Sequence, residues 1–247
     1  MIALAVLRIE EYGNVLKVIL KPTKKFPNGY FYTDNNPIAR KLVDSYSWYL
    51  SKQGKGTYVI AGIYGQILYF HQEYAYKVLG YYPDYLDHIN GVELDNRDSN
   101  LNVVTNYQNA RNRPTKGYCF DARHDYFQPN YVLEGRNYYR SSYKTEPEAL
   151  LATYQLRQEV YLDYDYNFYL DRRDDEDILD AELTKKITTQ QAIYYHIKRY
   201  VSNNPWYAYR YNLFDYCRQY NIQIPSFSLD SEGFMINSTG KRLCPYR

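Results

Sequence analysis

Apolar and polar residues alternate along two N-terminal stretches, 14–20 (NVLKVIL) and 57–71 (TYVIAGIYGQILYFH), and β-branched residues are enriched in both. That period of two predicts strands, and Gly65-Gln66 inside the second predicts a hairpin turn. Residues 35–51 read as a short helix running into a strand that carries Trp48. Over 70–80 the spacing of Phe70, Tyr74 and Val78 becomes helical, with Gly80 as a stop. Residues 85–89 predict a short strand bearing Asp87 and His88, Asn90-Gly91 a tight turn, and 101–105 a second strand. Thr105-Asn106-Tyr107-Gln108 has the form of a capping box that opens a helix.

Further along, 118–121, 126–133 and 136–141 predict three strands, the last two joined at Glu134-Gly135. A helix over 146–161 follows, with Ala149, Ala152, Leu156 and Val160 on one face. Pro129 removes one ladder hydrogen bond and suggests an edge or a bulge. In the C-terminal part, 188–191 opens a helix that continues to about Val201, and Asn204-Pro205 opens another. Trp206, Tyr209, Leu213, Tyr216 and Tyr220 form its apolar stripe, leaving Tyr207, Arg210, Tyr211 and Arg218 outward. Such a pair is either a helical hairpin or a helix-turn-helix.

Composition changes the picture in three ways. Of 247 residues 34 are tyrosine, which suits small units with wide, wettable faces. A mean hydropathy of −0.67 and the lack of any 18-residue apolar run exclude a membrane-spanning helix. Residues 1–7 are too short for a secretion signal, and Cys119, Cys217 and Cys244 lie too far apart for a disulfide framework or a zinc cluster. A cytoplasmic protein with reduced thiols is therefore expected. The net charge of +2 gives no global basic field. Its distribution is uneven: nine Lys/Arg against four Asp/Glu over 1–70, two against nine over 163–182, and nine against three over 183–247. The acidic run DRRDDEDILDAE at 171–182 reads as a solvated hinge.

The chemistry concentrates in 84–113, DYLDHINGVELDNRDSNLNVVTNYQNARNR. A helix packed across the two strands brings Asp87 and Asn109 side by side, with His88 on the opposite side of its strand. One carboxylate and one amide oxygen are hard donors that suit Mg²⁺, an ion that keeps several waters and binds phosphate. An imidazole beside such an ion takes a proton from water near neutral pH. These are the parts of one-metal phosphodiester hydrolysis.

The stretch resembles the ββα-metal motif of the HNH endonucleases, in their homing and phage branch. The resemblance runs through Asp87-His88, Asn90-Gly91, Leu94-Asp95-Asn96-Arg97, Asn100-Leu101, Thr105 and Asn109. It implies that His88 is the general base, that Asp87 and Asn109 hold one Mg²⁺ or Mn²⁺, and that Asn100 braces the loop behind the histidine. It also implies products with 5′-phosphate and 3′-hydroxyl ends. The four-cysteine zinc site of other HNH members is absent. His71 stands where these proteins often carry a histidine and is assigned a structural or phosphate-touching role, and the lead-in around Ser47–Leu50 is similar to that branch. Arg97, Arg111 and Arg113 flank the site and suit phosphate contacts.

Residues 116–161 resemble the APETALA-type DNA-binding domain that often follows an HNH module. That resemblance implies a sheet in the major groove, with Arg123, Gln128, Asn130, Arg136 and Tyr138 as contacts. Phe127-Gln128-Pro129 replaces the tryptophan-basic pattern usual there. Arg210 is a further expected DNA contact, from the helical end.

The expected fold class is α+β: a ββα-metal HNH module with N-terminal strands, a three-stranded sheet plus helix, and a mostly helical C-terminal part. The expected boundaries are 1–113 for the nuclease module, 114–165 for the APETALA-like domain, 166–182 for an acidic linker and 183–247 for the helical domain. The expected function is metal-dependent endonucleolytic cleavage of double-stranded DNA at a preferred sequence, by a monomer on DNA and with no membrane partner. The alternative is a catalytically silent, sequence-specific DNA-binding regulator on the same scaffold. A third option, an RNA nuclease or binder, would use the tyrosines for base stacking.

Overall fold

The computed structural model describes residues 5–54, 56–111, 116–133, 135–160 and 172–244, with only the backbone of Tyr107, Ala110 and Arg111. Helices mix with small antiparallel sheets. The chain divides into two compact units, Met1–Asn112 with Leu170–Thr189, and Arg113–Tyr169 with Gln190–Arg247.

In the first unit, β1 (Val6–Tyr12), β2 (Val15–Leu20) and β3 (Tyr30–Asp34) form one meander. Alternation along β2 sends Leu16, Val18 and Leu20 into the main core, while Val15 joins Tyr32 and Val92 in a second cluster. A short α1 (Pro37–Ser45) starts on Asn36, whose Oδ1 accepts from the Ala39 amide at 2.8 Å. It leads through Trp48 to a second meander of β4 (Tyr49–Gln53), β5 (Gly56–Ile63) and β6 (Gln66–Tyr69). The next helix, α2 (Phe70–Leu79), ends at the left-handed Gly80 as its sequence predicts. Trp48 packs on Phe70 at 5.0 Å and Phe70 on Phe31 at 4.8 Å between ring centres. The Trp48 Nε1–H donates to the Leu42 carbonyl at 2.9 Å, so the buried indole is fully satisfied. Burying each such ring contributes about 1.5–3 kcal/mol.

The β5–β6 turn has only two residues, Tyr64 at φ 48° and Gly65 at φ 82°. Both positions need the left-handed region, for which Asn-Gly is the preferred pair. A tyrosine there costs roughly 1–2 kcal/mol.

The predicted strand, loop, strand and helix follow in order: β7 (Leu86–His88), a 3-10 turn at Asp98–Asn100, β8 (Leu101–Val103) and α3 (Asn106–Arg111). The capping box forms, with the Thr105 amide donating to Gln108 Oε1 at 2.7 Å and the Gln108 amide to Thr105 Oγ1 at 3.2 Å.

The acidic run is not a free hinge over its described part. Residues Glu176–Leu183 form a helix (α5) that buries Ile178, Leu179 and Leu183. Asp180 accepts from the Lys17 ammonium and the Tyr32 hydroxyl, fixing that helix to β2 and β3. Three apolar residues interleaved with acids give one buried face, which overrides the solvated reading of the charge run.

In the second unit, β9 (Tyr118–Asp121), β10 (Tyr126–Leu133) and β11 (Arg136–Tyr139) form a sheet in the order β11-β10-β9. The helix α4 (Glu146–Val160) buries Ala149, Leu150, Ala152 and Leu156. The C-terminal residues add α6 (Thr189–Asn203), α7 (Trp206–Arg210), α8 (Phe214–Gln219) and the hairpin β12 (Ser228–Leu229) and β13 (Met235–Ile236). They do not stand apart as a domain: Trp206, Phe234 and Met235 share a core with Phe127, Ala149 and Leu150. The expected boundary between 114–165 and 183–247 is thereby corrected. So is the long second helix, which breaks at Asn212 (φ 49°) into α7 and α8. Arg210, expected outward, is 1% exposed, and its guanidinium donates to the Lys116 carbonyl at 2.8 Å.

Glu146 is the polar centre of this core. Its Oε1 accepts from the Tyr118 hydroxyl at 2.5 Å and from Trp206 Nε1 at 3.1 Å, and its Oε2 from the Met235 amide at 2.8 Å. Glu146→Ala strands three buried donors and is expected to lower stability by about 3 kcal/mol or more, whereas Glu146→Gln loses less. Urea unfolding of the two variants measures the difference, and equal midpoints for Glu146→Ala and wild type would refute the role.

Candidate functional site

β7 pairs antiparallel with β8 in the register Leu86↔Val103, Asp87↔Asn102 and His88↔Leu101. Successive side chains of β7 therefore point to opposite faces, which separates Asp87 from His88. The loop between the strands lies along the edge of β3: the Tyr32 amide donates to the Leu94 carbonyl at 2.8 Å, and the Asn96 amide to the Tyr32 carbonyl at 2.9 Å. That pairing turns the Asp95 carboxylate inward.

Asp95 is fully buried, at 0% exposure. Arg97 meets it with two donors, Nε to Oδ1 and Nη2 to Oδ2, both at 2.7 Å. Asn90 Nδ2 donates to Oδ2 at 2.8 Å, and Asn90 Oδ1 accepts from the Val92 amide at 2.9 Å. Asn100 spans the base of the loop: its Oδ1 accepts from the Asn90 amide at 2.9 Å and its Nδ2 donates to the Asp95 carbonyl at 2.8 Å. The Ile89 amide donates to the Asn100 carbonyl at 2.9 Å, and the Gly91 amide to the His88 carbonyl at 2.9 Å. The backbone is thus held on both sides of His88, by the β7–β8 pairing before it and by this network after it. Gly91 takes φ 69°, a left-handed conformation that a side chain would strain, and a Cβ there would also press on the Arg173 side chain at 2.8 Å.

His88 is 6% exposed, with Nε2 3.4 Å from Asn96 Oδ1. At that length the hydrogen bond is weak. Asn96 Nδ2 is buried without a hydrogen-bond partner among the described residues. The His71 ring packs edge-on against His88 at 5.1 Å and lies 5.7 Å from both Tyr58 and Tyr69. Burial lowers the His88 pKa, partly offset by Asn96 and the Asp95 charge. Burial, reinforced by His88, lowers that of His71 to about 3. Both imidazoles are neutral at pH 7. A tautomer with the Nε2 proton directed at Asn96 would carry its ring lone pair on Nδ1 of His88. The Tyr58 pKa is raised by burial, by Glu93 and Tyr69, and by the Asp87 carboxylate, which puts Asp87 within electrostatic range of that hydroxyl.

Asp87 is half-buried on β7, and Asn109, also half-buried, stands on the helix that follows its partner strand. These are one carboxylate and one amide oxygen, hard donors that fit a divalent ion keeping most of its water. Among the described residues no three His, Cys, Asp or Glu side chains gather as a metal set. A divalent ion here would therefore depend on the amide, on water and on a phosphate as well as the single carboxylate.

The expected DNA contacts fare unevenly. Arg97 is held by Asp95 rather than free for phosphate; burial would lower its pKa, but the Asp95 contacts outweigh this and raise it. The Arg111 side chain and Arg113 lie outside the described residues. In the second unit Arg123 is exposed at the β9–β10 turn, and Gln128 and Asn130 share the sheet face away from α4. Arg136 and Tyr138 do not join them. They pair with Leu133 and Tyr131, and Tyr131 faces Arg157 of α4 at 4.7 Å, so strand alternation puts both on the helix side. Arg210 is the buried residue described above. Sequence reasoning gave no role to Asp95 or Asn96, although both lie in the stretch that carries the resemblance; an acid two residues before an arginine is the signal that was available.

No family model, curated protein or solved structure matches the chain. The functional reading therefore rests on these residues themselves.

Because His71 and His88 refuse protons that the unfolded chain accepts, stability falls as pH drops below about 6.5 and keeps falling toward about pH 3. Each buried imidazole contributes a slope of at most about 1.4 kcal/mol per pH unit. His71→Phe, which keeps a ring in that space, is expected to flatten the stability profile between pH 6 and 5. An unchanged slope in urea titrations would show that His71 titrates normally.

Proposed function

We propose that this chain is a metal-dependent DNA endonuclease of the HNH type, a ββα-metal nuclease acting on double-stranded DNA. The observation that carries the reading is the pinned backbone of His88: Asn100 bridges the two ends of the loop, and the neutral imidazole between them has one nitrogen directed at Asn96. His88 accepts a proton from the attacking water at Nδ1. A base fixed on both sides along its backbone loses little orientational freedom when substrate arrives. Asp87 and Asn109 hold the divalent ion, Mg²⁺ or Mn²⁺. When bound, that ion supplies charge stabilisation at the scissile phosphate. The outer sheet face with Gln128 and Asn130, and Arg123 at its turn, serves DNA contact by the second unit.

The near-complete burial of both imidazoles favours a second reading, in which the same scaffold binds DNA without cutting it. No described helix is long and apolar enough to cross a membrane.

Plasmid nicking with and without Mg²⁺ separates the two. His88→Ala is expected to lower the nicking rate by about 10²–10⁴-fold while DNA binding is retained. Asp87→Ala and Asn109→Ala are expected to raise the Mg²⁺ concentration needed for half-maximal rate. A wild-type protein that binds duplex but never nicks it under Mg²⁺ or Mn²⁺ would leave the regulator reading standing.

A further inference from the structure

The β5–β6 hairpin contains a feature that folding does not require. Tyr64 is 103% exposed, so its ring makes no contact that offsets its left-handed backbone. Elsewhere among the described residues a positive φ falls on glycine, asparagine, aspartate or lysine. Asn and Asp tolerate that region, and Lys185 sits at the end of α5, where the amide of Lys186 reaches back to the Ala181 carbonyl at 2.8 Å. Tyr64 has no comparable compensation. Asparagine at this position would form the same turn with less strain. Strain retained in an exposed turn points to a use of the side chain.

The surroundings suggest what that use is. Ile67 on the returning strand is 53% exposed and pairs with Gly62, where a Cβ would meet nothing within 4 Å. The tip is therefore one aromatic ring and one aliphatic side chain on an otherwise open, uncharged ribbon. β6 runs without a break into α2, whose His71 touches His88. Seven residues separate Tyr64 from His71, so the tip lies at most roughly 23 Å away along the chain at about 3.3 Å per residue. The His71 and His88 rings are a further 5.1 Å apart, so the span from tip to site, with the reach of the side chains, is covered by about one helical turn of duplex.

We propose that the β5–β6 hairpin is a DNA wedge, with the Tyr64 ring stacking on a base and Ile67 inserted beside it, within about one helical turn of the scissile phosphate. This rests on the nuclease reading above and adds a second, sequence-tolerant contact to it. A π-face stacks on any base, and an apolar side chain between base steps opens a kink. The contact is independent of salt, unlike an arginine–phosphate pair.

The experiment uses the full chain and duplexes carrying 2-aminopurine at successive positions around a mapped nick, with binding read in Ca²⁺ so that cleavage does not interfere. Wild type is expected to change the fluorescence of one or two adjacent positions within that distance. Tyr64→Asn is expected to unfold at a higher temperature than wild type, yet to bind DNA roughly 5- to 100-fold more weakly and lose the fluorescence change. Tyr64→Trp is expected to keep both. Tyr64→Asn that binds and nicks like wild type overturns the wedge and leaves the nuclease reading intact. A wild-type protein that neither binds nor nicks duplex removes the nuclease reading instead, whatever Tyr64 does.

Discussion

The Asp95 carboxylate, which has no exposure to water, sets the terms for the loop of the first unit that presents His88. An ionised group in such a place is tolerated only with its lone pairs occupied and a counter-charge at hand. Arg97 supplies the charge, Asn90 supplies a third donor, and the backbone of Asp95 is taken by Asn100. Each partner belongs to a different part of the loop between β7 and β8. Satisfying Asp95 therefore forces the loop closed, and the closed loop holds His88 in one backbone geometry. A pair of this kind adds little net stability compared with an apolar core. What it adds here is a single arrangement of the polar groups around the histidine.

Asp34 ties the same loop to the rest of the unit, because its Oδ2 accepts from both the Tyr74 hydroxyl at 2.8 Å and the Asp98 amide at 2.7 Å. On the far side, the Arg172 amide donates to the Asn90 carbonyl at 2.8 Å, and α5 packs on β2 and β3 through Asp180. The loop is thus contacted by residues before it and by residues more than seventy positions after it. The second pass of the chain through this unit explains why the acidic run is ordered. Its carboxylates meet Lys17 and Lys186 outside the run and Arg172 within it.

Local pattern carried much of this. Period-two alternation located β2, β5 and β6, and the capping box at Thr105 located the start of α3 to the residue. Gly80 ended α2 where a left-handed stop was expected. These features depend on neighbours within four residues, so the sequence displays them directly. β1 and β3 are not legible in the sequence, because Arg8, Glu10 and Glu11 mask one strand and Tyr-Phe-Tyr the other; their strand character comes from pairing with β2. Arg210 was misjudged for the same kind of reason. A helical wheel over an uninterrupted helix turns it outward, but the break at Asn212 ends that wheel, and Lys116, ninety-four residues earlier, supplies the acceptor. Arg136 and Tyr138 were assigned to the sheet as a whole, when the pairing register decides which face each occupies. In the candidate site, the strand positions of Asp87 and His88 were legible. The Asp95 network was not, because it depends on β3 meeting the loop.

The burial of His88 and His71 together carries a chemical consequence. Burial keeps both imidazoles neutral, which is the protonation state a general base requires, but it also lowers the basicity of His88. Brønsted behaviour makes a weaker base a slower one, so full burial would work against catalysis unless something restored the basicity. The Asp95 charge and the Asn96 oxygen act in that direction, and both raise the His88 pKa against the effect of burial. His71 acts in neither way. Its own protonation is suppressed so strongly that it brings no charge to the pair at any pH where the protein would work, and it serves as a neutral wall against which the His88 ring is set. The carboxylate that closes the loop thus also sets the proton affinity of the histidine the loop presents, and this links the fold of the segment to its proposed chemistry.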